Sequence, residues 1–328
     1  MPRQANGSDG GLQVPHRIVH MLRARGRRRP VMLAIAGDSA AGKTTLTRGL
    51  VECLGADRMT AVCVDDYHRY DRVERRDKPF TALHPDCNYI EIMEQHLQLL
   101  SMGEPILKPV YDHSTGQLVR PELVEPRDFV IVEGLLPLHT RLARACFDIT
   151  VYLDPPETLR HRWKIERDCA KRGYTPDQVR AELERREPES AAFIRPQRRW
   201  ADIVVRFAPV AGRTDPPGTP LSAELLLRPT IDHPELRGVL DDAEHRAMHL
   251  KLHRDTDGRP VDALHIHGYV SSEECQVVKK AIWERLGTGT EIPEALGKLS
   301  DGTDSGPLAI TQLLLLYHLL EANRRQAA

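Results

Sequence analysis

The nine residues from Gly37 to Thr45 read Gly-Asp-Ser-Ala-Ala-Gly-Lys-Thr-Thr and hold two glycines, a lysine and paired hydroxyls in the spacing G-x-x-x-x-G-K-[ST]. Glycines at 37 and 42 let successive backbone N–H groups turn inward around a chain of phosphates. Lys43 adds a positive charge toward the outer phosphates, and Thr44 offers a hydroxyl to Mg²⁺. A helix that begins here aims its positive end at the same anion. Gly37, Asp38, Ser39, Ala40, Ala41, Gly42, Lys43, Thr44 and Thr45 are therefore read as a nucleotide-binding segment.

Three further stretches carry chemistry. FVIVEG (129–134) ends an apolar run in Glu133, where a parallel sheet delivers a carboxylate beside the first loop; its expected part is Mg²⁺ coordination together with Thr44. CVDDYHRYDR (63–72) puts Asp65 directly after the apolar run AVCV. Ligands of open α/β sheets lie beyond the carboxyl ends of the strands, so Asp65 is expected to face the terminal phosphate. A carboxylate there accepts the proton of an attacking hydroxyl, a role worth ~10² to 10⁴ in rate. Tyr67, His68 and Arg72 are the expected walls for a small polar acceptor. In WKIERDCAKRGY (163–174), Lys164, Arg167, Asp168 and Lys171 share one helix face, with Arg172 at its edge. That face is read as a lid that brings cations over the nucleotide.

These groups need elements to hold them. VMLAIA (31–36), AVCV (61–64), FVIVEG and ITVYLD (149–154) are short apolar runs without polar alternation, the pattern of strands covered on both faces. Helical patterns separate them at about 43–54, 89–101, 139–145 and 157–171. The alternation predicts an α/β fold with a mainly parallel, helix-covered sheet. Residues 30–208 are assigned to it, after a basic lead-in at 1–29 that contains RARGRRRP.

PVAGRTDPPGTP (209–220) has no apolar period, so a linker at 209–221 is expected before a smaller α+β region at 222–328. There LLLRP, HLKLHRD and DALHIHG predict short strands. A Ser271-x-x-Glu274 signal opens a helix at about 272–286, and ITQLLLLYHLLEA (310–322) predicts a buried helix. His249, His253, His265 and His267 alternate with apolar residues on two of the strands; they are read as solvated sheet-face histidines rather than a zinc site.

Composition narrows the partners. The 328 residues carry 46 basic and 47 acidic side chains, a net charge of -1, so no global field recruits nucleic acid or an anionic membrane surface. Any anion site is local. Six cysteines without a C-x-x-C pair argue against a disulfide framework or a cysteine-rich zinc site and fit a reducing cytoplasm. No apolar run reaches the roughly 18 residues of a spanning helix, and the N-terminus lacks the apolar core of a secretory signal.

Taken together, GDSAAGKTT, VCVDDYHRYDR, TALHPDCNY, KPVYDHSTG, VEGLLP, WKIERDCAKRGYT and REPESAAFIRPQ resemble the phosphoribulokinases, particularly the plant and cyanobacterial form, over about residues 31–208. KIERDCAKRG alone also suits uridine kinases; DDYHRYDR with KPVYDHSTG discriminates better. The resemblance implies a P-loop kinase that uses ATP and Mg²⁺ to phosphorylate the 1-hydroxyl of ribulose 5-phosphate, the Calvin-cycle step to ribulose 1,5-bisphosphate. It implies Asp65 as the base and Glu133 as the Mg²⁺-associated acid. His68 and Arg72, with Tyr111 of KPVYDHSTG, fall to the sugar phosphate; Lys164, Arg167 and Arg172 fall to the lid. Asp168 and Arg186 also stand on motif positions, Arg186 on the substrate side. A homo-oligomer, dimer or larger, is implied as well.

Two departures from that family stand out. The plant enzymes pair a cysteine of the phosphate loop with one before the double aspartate; here Ala41 replaces the first and Cys63 retains the second, so that thiol switch is absent. The family's E-G-L-H becomes Glu133-Gly134-Leu135-Leu136, which is expected to remove an imidazole from the site's edge. Two other readings share these residues. One is a kinase for another small acceptor, such as uridine or pantothenate. The other is an ATP-sensing regulatory protein whose C-terminal region binds a partner.

Overall fold

The computed structural model describes residues 29–234 and 246–327. The basic lead-in expected at 1–29 lies outside them except for Arg29, whose guanidinium pairs with Asp148 at 2.8 Å.

Strand β1 (Val31–Gly37) is buried along its whole length, as an unbroken apolar run between two layers must be. Val31, Leu33 and Ile35 feed the core on one face, while Met32 feeds the core on the other. β2 (Met59–Cys63), β5 (Phe129–Gly134), β6 (Ile149–Leu153) and β7 (Ile203–Ala208) run parallel to it in the order β2-β5-β1-β6-β7. Parallel neighbours require long crossovers. These contain α1 (Lys43–Leu54), α2 (Ile90–Ser101), α3 (Arg141–Ala145) and the pair α4 (Glu157–Arg172) and α5 (Pro176–Glu189). The strand expected to reach residue 64 stops at Cys63, and a 3₁₀ turn over Val64–Tyr67 carries the double aspartate. An antiparallel hairpin, β3 (Ile106–Asp112) with β4 (Gln117–Val124), stands apart from the main sheet; no sequence signal had been assigned to it.

The C-terminal strands β8 (Ser222–Leu227), β9 (Met248–Arg254) and β10 (Pro260–Ile266) extend the same sheet antiparallel, in the order β7-β8-β10-β9. The segment 209–221 thus joins two hydrogen-bonded neighbours. α6 (Ser272–Leu286) starts with the expected reciprocal cap between Ser271 and Glu274, and α7 (Gly306–Ala327) packs with it over the β1 face. Gln312 of α7 donates to the carbonyls of Leu46 at 3.3 Å and Thr45 at 3.4 Å on α1. A Cβ on Gly49 would sit 2.1 Å from Gln312 Nε2, so glycine here leaves room for the amide to reach α1. The C-terminal helix therefore braces the helix that leaves the phosphate loop.

A buried charge cluster ties the two regions together. Arg228, 2 % exposed, donates to Asp255 at 2.7 Å and to the carbonyl of Arg199 at 2.6 Å. Arg198 bridges the same Asp255 at 2.8 Å and Asp154 at 2.7 Å. Burial pushes the Asp255 carboxyl up, but hydrogen bonds from Arg228 and Arg198 outweigh it and hold the group at about 2.

Of the four sheet histidines, His253 is exposed as expected and the other three depart from expectation. His249, His265 and His267 stack ring on ring at 4.7 and 4.8 Å, and His249 Nδ1 lies 2.8 Å from His267 Nε2. They are half-buried, because β9 and β10 pair His249 with His265 directly across the ladder. Leu250 and Leu252, expected to face inward, are instead exposed at the sheet's edge strand. Among the described residues no helix is long and apolar enough to cross a membrane.

Candidate active site

At Gly37, where β1 ends, φ is 151° and a Cβ would meet the Leu153 carbonyl oxygen at 2.9 Å, so the chain turns into the loop here only as glycine. Lys43 Nζ donates to the carbonyls of Gly37 and Asp38, both at 2.9 Å, which holds the ammonium across the mouth of the loop. Asp38 is buried and fixes the loop from behind. Its carboxylate accepts from Ser39 N–H at 2.6 Å and from the Ser190 hydroxyl, and lies 3.4 Å from Arg160 of α4.

Glu133 ends β5 in register with Cys63 of β2, two residues before Asp65, so both carboxylates emerge from one edge of the parallel sheet. Thr44 Oγ1 donates to Glu133 Oε1 at 3.3 Å, and Thr47 to Oε2 at 3.1 Å. Burial raises the Glu133 carboxyl, opposed by Lys43 and the two hydroxyls. A carboxylate and a hydroxyl are hard oxygen donors, the set that suits Mg²⁺.

The double aspartate divides its work. Asp65 faces the cleft, while Asp66 bonds the buried Lys108 ammonium and accepts from Tyr111 N–H at 3.0 Å. Asp66 therefore clamps the β3–β4 hairpin against the turn and sets Tyr111 and His113 beside Asp65. Arg72 lies along the same hairpin, donating to the His113 carbonyl at 2.6 Å. It fits because Gly116 has no side chain; a Cβ there would stand 2.6 Å from Arg72 Nε.

His68 is buried, and its imidazole pKa is pulled down by that burial to about 4. Its tautomer follows from Asn88. The Asn88 amide donates to the carbonyls of Ala82 at 3.1 Å and His84 at 2.9 Å, which turns Oδ1 toward His68 Nδ1 at 2.8 Å. Nδ1 must then carry the proton, and Nε2 is left as an acceptor. His68 is thus a neutral ring in the cleft wall whose Nε2 can accept a hydrogen bond.

On α4, Lys164 and Asp168 are both buried and joined at 2.8 Å. Arg167 donates to Asp168 at 2.9 Å and Arg172 approaches it at 3.6 Å. Burial, then repulsion from Arg186, lowers Lys164 to about 8 in spite of Asp168. Burial would raise Asp168, but Arg167 and Lys164 hold it at about 2. Lys171, placed by the spacing on the same face, lies outside the cleft and is exposed.

Asp65, His68, Arg72, Tyr111, Lys164, Arg167, Arg172 and Arg186 all line one cleft of about 490 Å³, together with Ser39 of the loop. Positions that sequence reasoning left unassigned to the cleft join them, among them Arg75, Arg76, Arg185, Glu182 and His113. The crowding of arginines from 69 to 76 was the available signal. Arg75 stacks over the Tyr111 ring, 5.0 Å from its centroid, and donates to its hydroxyl at 2.6 Å. Leu136 faces the core and Leu135 the cleft, so Leu136 is not part of the cleft wall. Eight cationic side chains against three carboxylates give this cleft a positive field that suits anionic ligands.

A family model described as the phosphoribulokinase / uridine kinase family matches residues 32–212, more than half of the chain. The chain belongs to that family. It is 42 % identical over 181 residues to a phosphoribulokinase of Synechocystis, covering 55 % of this chain and 54 % of that one. It is 31 % identical over 180 residues to a uridine kinase of Chloroflexus aurantiacus, covering 53 % of this chain and 86 % of that one. The fold matches that of a phosphoribulokinase from Rhodobacter spheroides with a TM-score of 0.56 at 16 % identity, over 79 % of this chain and 98 % of that one. The chain spans about half the length of the curated phosphoribulokinases it matches.

Proposed function

We propose that this protein transfers the terminal phosphoryl group of ATP to the 1-hydroxyl of D-ribulose 5-phosphate. The observation that carries the reading is Asp65 in one cleft with Ser39 and with two separate groups of cations, Lys164, Arg167 and Arg172 on one side and Arg72, Arg75 and Arg76 on the other. One group serves the phosphoryl group in flight. The other serves a phosphate that the acceptor already carries.

In this reading Asp65 takes the proton of the acceptor hydroxyl as its oxygen bonds to the terminal phosphorus and ADP leaves. Lys164 and Arg167 stabilise the charge spread over the transferred oxygens. His68 Nε2 accepts a hydrogen bond from a sugar hydroxyl, while Arg72 and Arg75, with Tyr111, hold the 5-phosphate; Arg172 and Arg186 close the far wall. Thr44 and Glu133 fit Mg²⁺, which when bound would neutralise charge on the outer phosphates. Work as a homo-oligomer in a reducing cytoplasm belongs to the same proposal, as does a kinase domain at 30–208 braced by a C-terminal region at 222–328.

Uridine kinase is the second reading, favoured by the 86 % of the Chloroflexus relative that this chain covers. A neutral nucleoside gives the guanidiniums at 72, 75 and 76 nothing to neutralise. An ATP-coupled assay with ribulose 5-phosphate and uridine side by side tests the choice. Turnover of the sugar phosphate alone is expected; turnover of uridine alone overturns it.

A further inference from the structure

Cys63, Asp65 and His113 offer a sulfur, a carboxylate oxygen and an imidazole nitrogen that all lie within 4.8 Å of one another. They come from two places in the chain: the end of β2 with its following turn, and the tip of the β3–β4 hairpin. Two anchors fix that meeting. Asp66 binds Lys108 and the Tyr111 N–H, and Arg72 holds the His113 carbonyl at 2.6 Å. The His113 side chain is exposed, with its ring edge-on to Tyr111 at 5.0 Å, and rotation of that side chain supplies the roughly 1 Å of closure that bonds of ~2.0 to 2.3 Å require.

The donor set selects its ion. Mg²⁺ avoids sulfur, whereas a thiolate with an imidazole and a carboxylate suits zinc or a similar borderline-soft divalent ion. We propose that Cys63, Asp65 and His113 form an inhibitory site for a zinc-type divalent cation, separate from the Thr44–Glu133 position. Binding exchanges the Cys63 S–H bond for a sulfur–metal bond and releases the proton to solvent. Three protein ligands leave one position for water, and the Asp65 oxygen is no longer available to a substrate hydroxyl. The inhibitory consequence rests on the reading of Asp65 as the base; metal binding does not.

The test uses the full chain with excess Mg²⁺, titrated with Co²⁺ and then Zn²⁺. A stoichiometric thiolate-to-cobalt charge-transfer absorption that Zn²⁺ abolishes is expected. Cys63→Ser removes the band, and His113→Ala, a change on an exposed turn, weakens Co²⁺ affinity at least about tenfold, since even outer-shell partners are worth ~10 to 100-fold. Zn²⁺ also stops ATP turnover until a chelator restores it. Should no acceptor be phosphorylated, the functional reading fails while the absorption band still reports the site. The proposal is overturned by the absence of a thiolate band, by a band that survives Cys63→Ser, or by thiolate-free binding that is lost in His267→Ala.

Discussion

Arg167 Nη2 lies 3.4 Å from Ser39 Oγ, a contact through which the basic helix meets the phosphate loop. Arg160, two turns earlier on the same helix, reaches the Ser39 carbonyl at 3.3 Å. Helix and loop are therefore in direct contact, and the position of Arg167 depends on the buried Asp168 to which it and Lys164 are bonded.

Lys164 gives this arrangement a pH dependence. Its ammonium is charged below about 8 and is lost as pH rises through that value. kcat at saturating substrates is expected to fall above about pH 8, and Lys164→Arg, which stays charged, should remove that limb. A pH–rate profile of both proteins checks it, and an unmoved limb places the titration on another group.

Asp65→Asn keeps the shape of the cleft but cannot accept a proton. Phosphoryl transfer is expected to drop by ~10² to 10⁴ while ATP binding, followed by calorimetry, is unchanged. Equal losses in both would make Asp65 a structural residue.

Arg72→Ala and Arg75→Met each remove one charge-assisted contact of ~1.5 to 3 kcal/mol, roughly tenfold to a hundredfold in binding. The KM for the sugar phosphate should rise by that factor while the KM for ATP holds. Steady-state kinetics with each substrate varied in turn separates the two.

Asp255→Ala strands two guanidiniums, one of them buried, and is expected to cost about 3 to 5 kcal/mol. Urea unfolding of the wild type and the variant reads the difference as a shift in midpoint. A change under about 1 kcal/mol would mean that the cluster adds no net stability.

Acid should weaken the fold above the range of its carboxylates. Burial holds His68 at about 4, His267 at about 4 and His318 at about 3. The unfolded chain binds these protons below about 6.5. Their contribution is therefore complete above that pH and is lost progressively as pH falls from about 6.5 toward 4. Thermal unfolding followed across that window is expected to show a falling Tm, with His318→Phe less pH-sensitive than the wild type.

By itself the sequence determined the phosphate loop, four of the five parallel strands, and the carboxylates at their ends, because each is written in a local pattern: a glycine spacing, an unbroken apolar run, an acid at a run's end. It determined the shared helix face in the same way, since Lys164, Arg167 and Asp168 lie one turn apart on a single helix. What the tertiary structure decided was everything that depends on register between distant segments. Asp66 carried no role in the sequence, and only the fold gives it one, as the partner of Lys108 and of the Tyr111 N–H. Arg75 and Arg76 had no assignment in the sequence; Arg75 gains its place only because Tyr111 of the β3–β4 hairpin folds back beside it. The histidines of β9 and β10 became a stack only once antiparallel pairing set His249 against His265. Segment 209–221 read as a boundary because its composition breaks local order, yet the strands it joins hydrogen-bond to each other; such pairing is a long-range contact that no local pattern records.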